Sequence, residues 1–177
     1  MAEKTIRIGT RDSELALWQA HTVEKKLNNL GFKTEIVAVK STGDIILDKP
    51  LYELGITGIF TKTLDVAMIN GAVDIAVHSM KDVPTALPKG IVQAAVLERA
   101  TTLDILVHKG NLDFLNATGT IATGSLRRQA QWLNKYPTHN VVDLRGNVNS
   151  RMKKLTDSEW SGAVFAAAGL ERINLKP

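Results

Sequence analysis

With 177 residues, 44% of them hydrophobic and 23% charged, the chain has room for one ordinary domain or two small ones. That composition is globular and excludes a disordered or fibrous protein. Lys and Arg number 22 against 18 Asp and Glu, a formal charge of +4, and the absence of cysteine removes disulfides, thiolate nucleophiles and Cys-ligated zinc from these residues. No apolar run approaches the roughly 18 residues that span a bilayer, and no signal-peptide core precedes the first strand-like segment. A cytoplasmic location is the expectation.

In chain order, Thr5 to Thr10 alternates apolar and polar residues and predicts a short strand. A helix is expected from Ser13, with Glu14 near its positive end and a buried stripe of Ala16, Ala20, Val23, Leu27 and Leu30. Gly31 is placed to close it in a left-handed conformation. Lys33 to Val39 predicts a second strand. Residues 40–58 are turn-rich and without periodicity, which marks a functional or mobile loop. A helix over Phe60 to Asn70, stopped by Gly71, and a strand over Asp74 to His78 complete a strand–helix–strand–helix–strand order, which implies a parallel sheet. Ile91 to Leu97 is a further strand-like run. The same grammar then restarts, with strands at Asp104–His108, Thr120–Thr123, Asn140–Asp143 and Gly162–Ala166 and helices from Ser125 and Val148. Two α/β units with a crossover near residues 95–103 follow from this order.

Open α/β sheets bind ligands at the carboxyl ends of their strands. Four polar clusters fall there: Thr10-Arg11-Asp12-Ser13, His78-Ser79-Met80-Lys81-Asp82, Thr123-Gly124-Ser125-Leu126-Arg127-Arg128 and Leu144-Arg145-Gly146-Asn147-Val148. A strand-to-helix junction offers free backbone N–H groups and a positive dipole end, and arginine adds a planar fork for carboxylate or phosphate. Residues 120–154 carry seven basic side chains (Arg127, Arg128, Lys135, Arg145, Arg151, Lys153 and Lys154) and one acid, Asp143, so an anionic ligand is expected. Carboxylate and phosphate remain open on spacing alone. No GxGxxG or GxxxxGK[ST] motif supports a nucleotide loop. His21, His78, His108 and His139 show no metal-ligand spacing, and no metal site is expected. Asp82, beside Lys81, is the candidate for proton transfer or for stabilising a developing cation; both are equally readable as ordinary loop charges.

The segments RIGTRDSELALWQA (Arg7 to Ala20), TGDIILDKPL (Thr42 to Leu51), DIAVHSMKDVP (Asp74 to Pro84), GSLRRQAQ (Gly124 to Gln131), LRGNVNSR (Leu144 to Arg151) and AAAGLERI (Ala166 to Ile173) occur in this order. Together they resemble the porphobilinogen deaminase (hydroxymethylbilane synthase) family along the whole chain. The resemblance implies an α/β fold whose first two lobes are like type II periplasmic binding proteins, with domain 1 over residues 1–97, its active-site loop at 42–58, and domain 2 over 98–177. The second lobe is expected to be incomplete, and the family's third, cofactor-bearing domain to be missing. The family condenses four porphobilinogens head to tail, with loss of ammonia, into hydroxymethylbilane for heme and other tetrapyrroles. Its dipyrromethane cofactor is thioether-linked to a cysteine that this chain does not contain.

By the same resemblance Asp82 is the catalytic carboxylate. Arg11, Ser13, Ser79, Lys81, Thr123, Ser125, Arg127, Arg128, Arg145, Arg151 and Arg172 bind the carboxylates of cofactor and substrate. The implied partners are porphobilinogen and polypyrrole intermediates, with neither nucleic acid nor membrane, in a monomeric full-length enzyme. Three positions depart from the family pattern: Thr57 and Glu53 stand where relatives carry lysine, and Gly124 replaces a serine. Without the cysteine, the chain alone is expected not to turn over. The competing reading is a cytoplasmic module that binds an anionic small molecule without chemistry.

Overall fold

The computed structural model describes residues 4–41 and 58–176. The loop expected at 42–58 lies almost wholly outside them, as do Glu53 and Thr57. The described residues form two compact units, one of residues 4–41 with 58–98 and one of residues 99–176.

The first unit is built on a parallel sheet. Its strands are β1 (Ile6–Arg11), β2 (Thr34–Val39) and β3 (Ile75–Ala76), in the order β2-β1-β3, with Ile6 opposite Thr34 and Ile8 opposite Ile75. Helices α1 (Glu14–Asn29) and α2 (Lys62–Ile69) connect them. Alternation along β1 sends Ile8 and Thr10 inward, both fully buried. The Thr10 hydroxyl donates to the Ala16 carbonyl at 3.1 Å, which satisfies a buried polar group and ties strand to helix. Helix α1 buries only Ala16 and Ala20. The expected stripe fades toward its C-terminus, where Leu30 is 73% exposed, because the chain leaves the helix there. Gly31 adopts φ +89°, and the N–H groups of Gly31 and Phe32 donate to the carbonyls of Asn28 and Leu27, so the left-handed turn satisfies the helix end.

The strand expected over Asp74–His78 reduces to two ladder residues. Around them, Asp74 N–H donates to Arg7 O and Val77 N–H to Gly9 O. Asp74 grips the Arg7 guanidinium through Nε at 3.0 Å and Nη2 at 3.1 Å, and the Arg7 fork holds its carboxyl well below the usual carboxylate range. The strand-like run Ile91–Leu97 forms no strand. It has no ladder partner among the described residues, and Val92 and Val96 stay exposed. An apolar run forms a strand only where a neighbouring edge accepts the backbone bonds.

The second unit holds a four-stranded mixed sheet of β4 (Asp104–His108), β5 (Thr120–Ala122), β6 (Asn140–Val142) and β7 (Gly162–Ala166), in the order β4-β7-β5-β6. β5 runs parallel to β6 and β7, while β4 is antiparallel to β7 with Asp104 opposite Ala166. Helices α3 (Leu126–Lys135), α4 (Val148–Asp157) and the short α5 (Ala167–Glu171) follow the parallel strands. Val107, Ala122, Leu144, Leu155, Ala163, Phe165 and Leu170 make one buried cluster. This topology puts the carboxyl ends of β5, β6 and β7 on the same sheet edge as the first residue of β4. Among the described residues no helix is long and apolar enough to cross a membrane.

Candidate functional site

In the first unit the strand ends gather a carboxylate and two cations. Arg11 is the last residue of β1, and Asp82 closes a 3-10 turn (Met80–Asp82) just beyond β3. Adjacent parallel strands bring these two ends together. Arg11 Nη1 lies 3.8 Å from one Asp82 oxygen, and Lys81 Nζ 3.1 Å from the other. Arg11 and Asp82 are mostly enclosed, whereas Lys81 is 80% exposed. The Arg11 guanidinium lies 4.4 Å from the centroid of the Phe60 ring, a cation–π contact that holds its position. Ser79 and the Gln19 amide hydrogen bond at 2.9 and 3.2 Å, joining the β3 end to α1. Ser13 caps α1 by backbone conformation only, with no side-chain capping bond. His78 is largely withdrawn from water, and burial pushes its pKa below 6.5 despite the opposing fields of Asp65 and Asp82.

The second unit carries the arginine-rich loops. Thr123 is buried at the end of β5, and its Oγ1 accepts the Ser125 N–H at 3.2 Å. The Ser125 hydroxyl accepts the Arg128 N–H at 3.4 Å, which caps α3. Gly124 sits so close to the next loop that a Cβ there would be 2.6 Å from the Leu144 carbonyl oxygen. The departure from serine at this position thus accompanies a tight approach of the two loops. One strand over, Asn147 caps α4, its Oδ1 accepting the Ser150 N–H at 2.9 Å. Arg145 is 5% exposed, and its carbonyl accepts Lys154 Nζ at 3.2 Å. Arg151 Nε donates to the Gly146 carbonyl at 2.7 Å. Gly146 has φ +109°, the left-handed region that this turn requires.

Of the second unit's proposed binding residues, Thr123, Ser125 and Arg128 share one loop-and-cap network, and Arg145 and Arg151 share the next loop. Arg127 is exposed on the first turn of α3, and Arg172 follows α5. Arg128 has a partner that sequence reading missed. Asp104 takes its Nε at 2.8 Å and its Nη2 at 2.5 Å. Phe60 and Gln19, which hold Arg11 and Ser79, were missed as well. Spacing could not find Asp104, because the contact depends on β4 running antiparallel to β7.

Each unit is therefore an α/β fold with hydroxyls and arginines at its strand ends, and the second adds two capped helix starts; this is the fold class of type II periplasmic-binding-like proteins. The fold agrees with a solved structure, the periplasmic VFT2 domain of BvgS from Bordetella pertussis: TM-score 0.50 at 12% identity, over 94% of this chain and 68% of that one. The family model described as porphobilinogen deaminase, dipyromethane cofactor binding domain, matches residues 6–177. A chloroplastic porphobilinogen deaminase of Oryza sativa subsp. japonica is 47% identical over 96% of this chain and 50% of its own length. A porphobilinogen deaminase of Desulfitobacterium hafniense is also 47% identical, over 96% of this chain and 56% of its own. The chain belongs to the porphobilinogen deaminase family. It spans about half the length of these curated relatives.

Proposed function

We propose that these residues supply the catalytic carboxylate and the carboxylate-binding surfaces of a hydroxymethylbilane synthase, a transferase joining four porphobilinogens with release of ammonia. The observation that carries this reading is Asp82, largely enclosed beside Arg11 and Lys81 at the end of a parallel strand, in a chain of this family. Residues 1–97 and 98–177 would be the first two domains of that enzyme. The division of contacts between Glu98 and Arg99 supports this boundary.

Porphobilinogen carries an acetate and a propionate, so each condensation adds two carboxylates to the growing chain. A fixed carboxylate such as Asp82 stabilises the cation that develops on the pyrrole as ammonia departs, and it can take up the proton released on coupling. Arg11 and Lys81 orient that carboxylate. Ser13 and Ser79 offer hydroxyl donors nearby in the same unit. In the second unit Thr123, Ser125, Arg127, Arg128, Arg145, Arg151 and Arg172 would hold acetate and propionate groups. Hydrogen bonds of this charged kind contribute about 1.5–3 kcal/mol each.

A bound dipyrromethane would supply the primer on which the product is built. The donor set fits its carboxylates: two capped helix N-termini and several arginines on one sheet edge. The 177 residues contain no thiol to attach it, so we infer that they do not turn over by themselves. Cytoplasmic location and a monomeric state of the whole enzyme belong to the same proposal.

The test is the intact mass of the protein purified from the cells that make it. A species well above 19.3 kDa with a two-pyrrole adduct supports the enzyme. A 19.3 kDa species without adduct leaves an anion-binding module. In the cysteine-containing protein, Asp82→Asn should retain polypyrrole while turnover falls by about 100-fold or more. Unchanged turnover would refute the role given to Asp82.

A further inference from the structure

Asp104 is an acidic side chain on an edge that also carries arginines and two capped helix N-termini. It is the first residue of β4, opposite Ala166 at the end of β7, and so it stands on the edge where β5 ends at Ala122, just before Thr123. Its carboxylate holds Arg128 side-on: Oδ2 accepts from Nε at 2.8 Å and Oδ1 from Nη2 at 2.5 Å, across 24 residues of sequence. The Arg128 backbone N–H is meanwhile tied to the Ser125 hydroxyl at 3.4 Å. Main chain and guanidinium of the same residue are thus both fixed, although neither partner is deeply buried.

A guanidinium has five N–H groups, one on Nε and two on each Nη. The side-on fork to Asp104 uses the Nε–H and one Nη2–H. Both Nη1–H groups and the second Nη2–H remain; that Nη2–H and the Nη1–H beside it make up the end-on edge, which also suits a carboxylate bidentately. We propose that Asp104 is a positioning residue for Arg128: it immobilises the guanidinium by one edge and leaves the other to a ligand carboxylate. This inference rests on the reading of the β5–α3 loop as a carboxylate site. It makes Arg128 a preformed donor, not a flexible surface charge, and preorganisation of that kind raises affinity by removing an ordering cost.

The proposal predicts an effect opposite in sign to simple electrostatics. If Asp104 acted only by its charge, neutralising it would tighten the binding of an anion. If it positions Arg128, neutralising it weakens binding, because the ligand must then order the guanidinium itself. The expected loss is about 3- to 10-fold in affinity, the cost of immobilising one long side chain.

The experiment is calorimetric titration of the 177-residue chain with porphobilinogen at fixed ionic strength, comparing wild type, Asp104→Asn, Asp104→Glu, Arg128→Gln and the Asp104→Asn/Arg128→Gln pair. Circular dichroism and thermal melts check that each variant is folded. Expected are weaker binding in D104N, substantial recovery in D104E, and no additional loss when D104N is placed in the R128Q background. Tighter or unchanged binding in D104N overturns the proposal. The Arg128 Nε–H resonance in nitrogen-edited NMR gives a readout independent of ligand. It should be resolved and slow to exchange in wild type, lost in D104N and restored in D104E, and indifference to D104N overturns the proposal equally. A wild-type chain that binds no porphobilinogen counts against the carboxylate-site reading alone, and the NMR comparison then decides the positioning of Arg128.

Discussion

Gly9 lies in the middle of β1, paired on its two sides with Val37 and Ala76, and two residues before Arg11. A methyl group there would stand 2.8 Å from Leu64 Cδ2 and 3.0 and 3.3 Å from the two Val73 methyls. Non-bonded carbons rest at about 3.5–4.0 Å, so Leu64 would have to retreat by roughly 0.7 Å or more. It has nowhere free to go, since Leu64 is fully buried and Val73 nearly so. Overpacking of this kind costs about 1–3 kcal/mol, and Gly9→Ala should destabilise the chain by that amount in urea unfolding. Hydrogen exchange should place the loss in β1, α1 and α2. Truncating the obstacle gives an internal control. Leu64→Ala by itself should cost about 2–5 kcal/mol, but the Gly9→Ala/Leu64→Ala pair should be at least about 1 kcal/mol more stable than the sum of the single changes, because the new methyl then fills part of the cavity. A G9A cost below about 0.5 kcal/mol, the scale of an ordinary surface substitution, together with strict additivity would refute the claim that glycine is required here for close packing.

Two further outcomes follow from the site's local architecture. Ser125→Ala removes the acceptor of the Arg128 N–H and should cost about 1 kcal/mol; Ser125→Asn should recover much of it in the same urea titration, and equal losses in both would count against the capping role. Burial lowers the pKa of His78 below 6.5, so on acidification the unfolded chain takes up this proton first. The contribution of neutral His78 is therefore complete above pH 6.5 and is lost as pH falls below that value toward the depressed one. Urea midpoints measured across that window should fall less steeply in His78→Gln than in wild type, and identical slopes would show that the imidazole is not held neutral by the fold.

The parts of the fold legible in the sequence are those fixed by neighbours in the chain. Alternation gave β1 because Ile8 and Thr10 point into the core, and the strand-to-helix turns were visible because Ser125 and Asn147 cap helices within three residues. Gly31 could be read as a helix stop since only the local backbone decides its φ. What failed depended on distant partners. Leu30 keeps the period of α1 yet has nothing to pack on, and the strand-like run Ile91–Leu97 has no edge to join among the described residues. The cationic residues of the site were legible as a class, but their pairing was not. Asp104 meets Arg128 only because one strand of the second sheet runs backwards, and Phe60 supports Arg11 from another element.

That pairing separates the basic residues by what each can do for a ligand. Arg128 is fixed by Asp104, and Arg151 is held to the Gly146 carbonyl. These offer direction, because their donors occupy set positions before any ligand arrives. Arg127 lies exposed on a long flexible stem and offers charge more than direction. Under the proposed function the ligand gains carboxylates as it grows, and it would use both kinds. Fixed forks select where its ordered end sits, and mobile cations can follow carboxylates whose positions change with each addition. A surface of mobile lysines alone would attract such a ligand, but screening by salt would weaken it and nothing would set its register. A surface of fixed forks alone would suit one ligand length only. The second unit by itself carries both kinds, fixed Arg128 and Arg151 beside exposed Arg127, and that mixture suits the proposed polycarboxylate of increasing length.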